Sequence, residues 1–194
     1  MLEDLLNIWH KFPVIGALRA SSWREIDIEY LSLCPVFFFL EGNVFTLREA
    51  LKILPPDLHL FLHLDLFGGI TSDESGLLFM REIFPQIRGI ISTRARTLNL
   101  AKKAGFFTIF RLFLIDSESL RTGLRIAQEI SPDALEILPG IIFPQVRDSI
   151  PVENLPPLIC GGFIRKKEEV EKIISCGAVA VSTSCRELWK MNRR

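Results

Sequence analysis

The chain has 194 residues, 48% of them hydrophobic and 24% charged, with 23 basic against 23 acidic side chains. That balance excludes intrinsic disorder and argues against a surface coated in positive charge for nucleic acid, while leaving room for a local basic patch. The length suffices to bury a full core in a single domain spanning residues 1–194.

The first stretch, Met1 to Pro13, carries acids and no small-residue cleavage site, so no secretory leader is expected. The longest apolar runs, about eight residues, are too short to span a bilayer. A cytoplasmic protein with no membrane partner is the expectation. The four cysteines, Cys34, Cys160, Cys176 and Cys185, show no C-x-x-C spacing and no neighbouring histidine pair. They read as reduced, buried thiols rather than a zinc site.

Eight short apolar runs then follow in order: Pro13–Arg19, Val36–Gly42, His59–Leu66, Gly89–Arg94, Phe106–Leu114, Ala134–Gly140, Leu158–Ile164 and Ala178–Ser184. They recur about every 24 residues, the length of one strand–helix unit. Continuous runs rich in Ile, Val and Phe are how strands covered on both faces read. Helical segments are expected between them. Ser72–Phe84 starts on Ser and Asp and stops at Pro85, and Ser117–Ile130 follows Asp116 and stops before Ser131-Pro132. Lys167–Cys176 sets Val170, Ile173 and Ile174 on one face and closes at Gly177. Phe143–Ile150 is a weaker helical segment, and Arg186–Asn192 is a short last helix. Eight alternations predict an α/β fold, a compact TIM-type (β/α)8 barrel, with a doubly wound open sheet as the structural alternative.

In such barrels function gathers at the carboxyl ends of the strands. Those ends carry Arg19, Glu41, Asp65 and Ser92-Thr93-Arg94, while Arg111 and Glu136 lie within the fifth and sixth strands. Two-residue alternation puts His59, Phe61, His63 and Asp65 on one face, with His63 and Asp65 pointing into the barrel. Leu60, Leu62, Leu64 and Leu66 take the other face, under the helices. For His63 alone a hydrogen-bonded core histidine is the plainer reading. The three arginines and three carboxylates of the mouth form either a self-neutralising ring or the wall of a polar ligand site. Glu41, Asp65 and Glu136 could together hold Mg2+, but the arginines beside them oppose a cation, so no metal is expected.

The last two strands run into Gly161-Gly162 and Ser182-Thr183-Ser184. Glycine backbone and a following helix N-terminus suit a phosphate, in the position this fold commonly uses for one. The plainer alternative is tight packing at Gly-Gly and a helix cap at Ser184. No G-x-G-x-x-G or Walker-type loop is present. All eight lysines fall in loops or helices, which disfavours Schiff-base aldolase chemistry. Glu136 or Asp65 could serve an isomerase as base. The residues alone thus point to a small phosphate-ester site and leave catalysis and sensing both open.

Seven of these stretches resemble the glycerol-3-phosphate-responsive antiterminator family, also called glycerol uptake operon antiterminators. They stand as VIGALRA (Val14–Ala20), HLDLFGG (His63–Gly69), GIISTR (Gly89–Arg94), RLFLIDS (Arg111–Ser117), EILPG (Glu136–Gly140), CGGFIR (Cys160–Arg165) and GAVAVSTS (Gly177–Ser184), with Leu188-Trp189 closing. The resemblance implies a TIM-like barrel and a regulator rather than an enzyme. Such a protein takes glycerol 3-phosphate as effector, needs no cofactor, and acts on the leader mRNA of glycerol-utilisation genes. An enzyme acting on a small phosphate ester is the alternative. Carried over, the phosphate sits on Gly161, Gly162, Ser182, Thr183 and Ser184. By strand position, Arg19, Asp65, Arg94, Arg111 and Glu136 then face the glycerol end.

For RNA, Arg165, Lys166 and Lys167 are the favoured basic cluster, because they follow the Gly-Gly turn. Arg94-Arg96 with Lys102-Lys103, Arg121 with Arg125, and Lys190 with Arg193-Arg194 are others, each equally readable as a solvated helix face. Phe106-Phe107 suits either base stacking or the core. The sequence leaves room for a homo-oligomer.

Overall fold

The computed structural model describes residues 2–192. Eight strands form a closed barrel. In chain order they are β1 (Val14–Leu18), β2 (Val36–Phe39), β3 (His59–His63), β4 (Ile87–Ser92), β5 (Phe107–Phe113), β6 (Ala134–Leu138), β7 (Leu158–Gly161) and β8 (Ala180–Thr183). Each pairs in parallel with its neighbours in the sequence. β1 and β8 close the ring through Val14↔Val181, Ile15↔Ser182 and Gly16↔Thr183. That pairing makes the fold the expected (β/α)8 barrel and rules out the open sheet.

The chain opens with α1 (Leu2–Lys11). Its Leu5 and Trp9 are fully buried among inward side chains of the strands, including Ile15, Phe38, Phe61, Phe107, Ile109 and Ala134. The Trp9 and Phe107 rings meet edge to face at 5.9 Å. An amphipathic helix therefore seals the end of the barrel where the strands begin.

The connecting helices are α2 (Ile28–Leu31), α3 (Val44–Ala50), α4 (Glu74–Ile83), α5 (Ala95–Lys103), α6 (Ser117–Ile130), α7 (Phe143–Val146), α8 (Lys167–Ser175) and α9 (Arg186–Trp189). Side chains start several of them. Asn43 accepts from the amides of Phe45 and Thr46 at 3.0 Å, Asp73 from Gly76 at 2.8 Å, and Asp116 from Ser119 at 2.7 Å. α6 ends on Ser131 in the left-handed region, at φ 46°.

The helix expected over Phe143–Ile150 is broken. Four residues of α7 lie between 3-10 turns at Gly140–Ile142 and Arg147–Ser149. Pro144 stands in the first turn of α7, and the Arg147 guanidinium donates to the carbonyls of Cys176 and Ile150, anchoring the segment without a helical ladder.

Leu60, Leu62 and Leu64 pack outward under the helices as expected, but Leu66 is 58% exposed. β3 stops at His63, and the 3-10 turn Leu64–Leu66 breaks the two-residue alternation. Phe106 and Phe107 are buried in the core, so the stacking role does not apply to them. Cys34 and Cys160 are buried and Cys176 and Cys185 are partly exposed; all four are free thiols.

Candidate functional site

Register builds the site. Arg111 on β5 lies opposite Glu136 on β6, and Gly161 on β7 lies opposite Ser182 on β8. All four point into the barrel one step above the apolar layer. Arg111 Nε donates to Glu136 Oε2 at 2.7 Å, and Ser182 Oγ donates to Glu136 Oε1 at 2.7 Å. Arg111 and Glu136 are 6% and 0% exposed. A buried ion pair persists only when its remaining lone pairs and protons are also engaged. The serine provides that on one side. Gly161 leaves the room for it, since a Cβ there would stand 2.3 Å from Ser182 Oγ and 2.8 Å from Glu136 Oε1.

His63 completes the layer. Its Nδ1 lies 3.1 Å from the Leu40 carbonyl and 3.2 Å from Arg111 Nη1. The carbonyl needs a donor and the guanidinium an acceptor, so one tautomer serves only one of them. Nε2 is buried without a hydrogen bond, 3.7 Å from Asp65 Oδ2.

Above this layer opens a cavity of about 680 Å3, lined by Arg19, His63, Leu66, Arg111, Phe113, Glu136, Leu138, Gly162 to Arg165 and Ser182 to Cys185, with Ala17 and Leu40. It brings together most of the residues singled out from the sequence. Gly162, Ser182, Thr183 and Ser184 stand on one side, Arg111 and Glu136 on the floor, and Arg19 and Arg165 at the rim.

Gly161 lies beneath the wall rather than on it. Asp65 and Arg94 are not on it either. The turn after β3 swings Asp65 toward β4. There Oδ1 accepts from Ser92 Oγ at 2.6 Å, and Oδ2 accepts from the Thr93 amide at 2.7 Å and its hydroxyl at 2.8 Å. Arg94 Nε is 4.0 Å from the same carboxylate. Burial alone would raise the Asp65 carboxyl, but the nearby His63 imidazole and the hydrogen bonds from Ser92 and Thr93 reverse this and hold it well below the usual carboxylate range.

The loops after β7 and β8 are tied together. Thr183 Oγ1 donates to the Ile164 carbonyl at 2.9 Å and accepts from the Cys185 amide at 3.1 Å. Gly162 has φ +86° and Phe163 φ +61°. The first suits glycine; the second is a bulky residue in a region it rarely adopts, and its ring is 73% exposed. The Glu169 carboxylate accepts from the amides of Arg165 and Lys166 at 2.7 and 2.9 Å. Those two amides at the start of α8 are thus already engaged, which leaves Gly162 and the Ser182–Ser184 segment as the cradle.

Lys166 and Lys167 are exposed beside the cavity, off its wall. Among the other basic clusters, Arg121 pairs with Glu118, Arg125 with Glu129 and Lys190 with Glu187, as solvated helix faces do. Arg193 and Arg194 lie outside the described residues. None of the eight lysines falls on a barrel strand. Among the described residues, no group of three or more His, Cys, Asp or Glu side chains is placed to hold a metal ion, and no helix is long and apolar enough to cross a membrane.

The sequence reading missed Leu66, Phe113, Leu138 and Phe163 as parts of the site. Phe163 carried a signal, a large apolar side chain directly after a Gly-Gly turn.

Comparison with known proteins agrees with this fold. The sequence model of the family described as glycerol-3-phosphate responsive antiterminator matches residues 14–189. The uncharacterized protein YgcP of Escherichia coli K12 is 32% identical over 191 residues, 98% of each chain. The crystal structure of a glycerol uptake operon antiterminator regulatory protein from Listeria monocytogenes is 32% identical with a TM-score of 0.73, covering 91% of this chain and 94% of that one. That of a glycerol uptake operon antiterminator-related protein from Thermotoga maritima is 29% identical with a TM-score of 0.76, covering 92% and 98%.

Proposed function

Because the chain belongs to the glycerol-3-phosphate responsive antiterminator family, we propose that its cavity is the sensor site for glycerol 3-phosphate, and that ligand binding governs its action on a leader mRNA. The observation that carries this reading is the polar floor of Arg111, Glu136 and Ser182 directly below the Gly162 and Ser182–Ser184 cradle. The phosphate takes the cradle, against the Gly162 backbone and the Ser184 hydroxyl, since the hydroxyls of Ser182 and Thr183 already donate to Glu136 and to the Ile164 carbonyl. The glycerol hydroxyls face the floor, with Arg19 at the rim above them. Asp65 and Arg94 act from behind, holding the end of β4 in place. Arg165, Lys166 and Lys167 give RNA a cationic edge next to the effector.

Sensing fits this floor better than catalysis. Both Glu136 oxygens are occupied by Arg111 and Ser182, which leaves no free carboxylate base on the floor, and no barrel strand offers a lysine for a Schiff base.

Isothermal titration with glycerol 3-phosphate, against glycerol and inorganic phosphate, tests the proposal. Glycerol 3-phosphate should bind much more tightly than either control. Ser184→Glu places a negative charge at the cradle and should weaken binding roughly a hundredfold with the fold intact, since Ser184 is exposed. Equal affinity in wild type and variant overturns the phosphate assignment. Turnover of a phosphate ester, abolished by Glu136→Gln, would replace sensing with catalysis.

A further inference from the structure

The cavity is larger than its effector needs. Glycerol 3-phosphate has about ten non-hydrogen atoms. Even at the roughly 30 Å3 a water molecule takes in the liquid, it fills less than half of the 680 Å3 available. The space left over is the outer half, and its chemistry differs from the floor. Leu66, Phe113, Leu138 and Phe163 wall it. Three of these are solvent-facing, Leu66 at 58%, Phe113 at 49% and Phe163 at 73%. The Phe163 ring is held outward by a backbone conformation that costs a bulky residue free energy, a kind of strain that concentrates at working sites. Arg19 and Arg165 line the same cavity as these rings. The Arg19 pair with Glu41, at 2.9 Å, is exposed, and such pairs are weak enough to exchange for a phosphate.

Flat apolar rings and guanidinium groups in one cavity are what a single-stranded nucleic acid requires. Its bases stack on aromatic faces and its phosphates meet arginines. The effector's own phosphate occupies the cradle, so the rim arginines are surplus to it. We propose that one unstacked base of a single-stranded RNA enters the outer half of this cavity against Phe113 and Phe163, with the flanking phosphates on Arg19 and Arg165 and the bound effector as the floor beneath. This rests on the reading of the chain as an effector-dependent RNA-binding protein. It adds where the RNA sits and why the effector is needed: without it, the base has no floor.

Fluorescence anisotropy tests this with a fluorescein-labelled single-stranded RNA of about twenty nucleotides containing all four bases, and with its duplex. Both are titrated with and without saturating glycerol 3-phosphate. The single strand should bind more tightly with effector present, and the duplex roughly tenfold more weakly or worse. Phe113→Ala/Phe163→Ala should lower single-strand affinity roughly tenfold or more, and Phe113→Tyr/Phe163→Tyr should retain it. If the alanine pair binds RNA as wild type does, the proposed location is overturned while the RNA reading stands. If wild type binds no RNA, both fall. Hexyl phosphate binding roughly tenfold more tightly than glycerol 3-phosphate would overturn the proposal in favour of an alkyl occupant. A dimer that the alanine pair dissociates would overturn it in favour of a second copy of the chain.

Discussion

Two layers of one barrel, a single strand repeat apart, differ in almost every property. In the lower layer the inward side chains are Ile15, Phe61, Ile109, Ala134, Ile159 and Ala180, packed against Trp9. Two residues further along the same strands stand Ala17, His63, Arg111, Glu136, Gly161 and Ser182. The step is about 7 Å along each strand. Below it, burial of apolar surface makes every neighbour interchangeable in kind. Above it, His63, Arg111, Glu136 and Ser182 each meet specific polar partners, and a charged pair is kept where an apolar pair of equal volume would fold as well. The lower layer thus holds the barrel shut, and the upper layer forms the floor of the cavity proposed for the ligand.

The largest expected effect falls on the lower layer. Trp9→Ala should cost about 3–5 kcal/mol in urea unfolding, through the void left under Phe107. Glycerol 3-phosphate titration below the transition should be little changed. Loss of binding in a still-folded Trp9→Ala protein would show that the two layers are not separable.

Glu136→Ala should cost nearly as much, about 3–5 kcal/mol, because Arg111 is left buried and unpaired. Arg111→Met/Glu136→Leu should return stability to within about 1 kcal/mol of wild type by the same measurement, yet bind no effector. If that apolar pair still binds, the floor is structural and the contrast fails. Gly161→Ala should cost about 1–3 kcal/mol, since its methyl would push apart Ser182 and Glu136.

The smallest effect is Asp65→Asn, and it depends on pH. Asp65 ionises below the usual carboxylate range when folded, so the unfolded chain binds its proton first as pH falls below about 4. Its stabilisation is complete above that pH and is lost below it. The urea midpoints of wild type and variant should therefore differ most at neutral pH, and the difference should narrow progressively as pH falls below about 4. A constant difference would mean that Asp65 acts through shape, not charge.

The sequence discloses the layers unevenly. The apolar runs mark all eight strands, because strands covered on both faces leave no room for polar side chains. An arginine or glutamate inside such a run, as at Arg111 and Glu136, stands out for the same reason. The Asp65 turn is hidden because Leu64 and Leu66 continue the alternation past the end of β3; only the hydrogen bonds to Ser92 and Thr93 reveal the change of direction. The broken helix at Phe143–Ile150 depends on Arg147 reaching a carbonyl 29 residues away, a contact no local pattern encodes. The sealing role of α1 was missed although Leu5 and Trp9, four residues apart, carry a helical stripe. A stripe shows that a face is buried, but not that it is buried in the bore of a barrel.

The helix that seals the barrel has a kinetic consequence. A cavity closed at one end has a single doorway, and everything that enters must leave in reverse order. With Trp9 and its neighbours filling the far end, the effector has no back exit. In the proposed reading, a molecule seated on Phe113 and Phe163 holds the effector beneath it as a latch holds a drawer. On that reading, such a latch slows release of the effector, so the state of the site lags behind a fall in the effector's concentration.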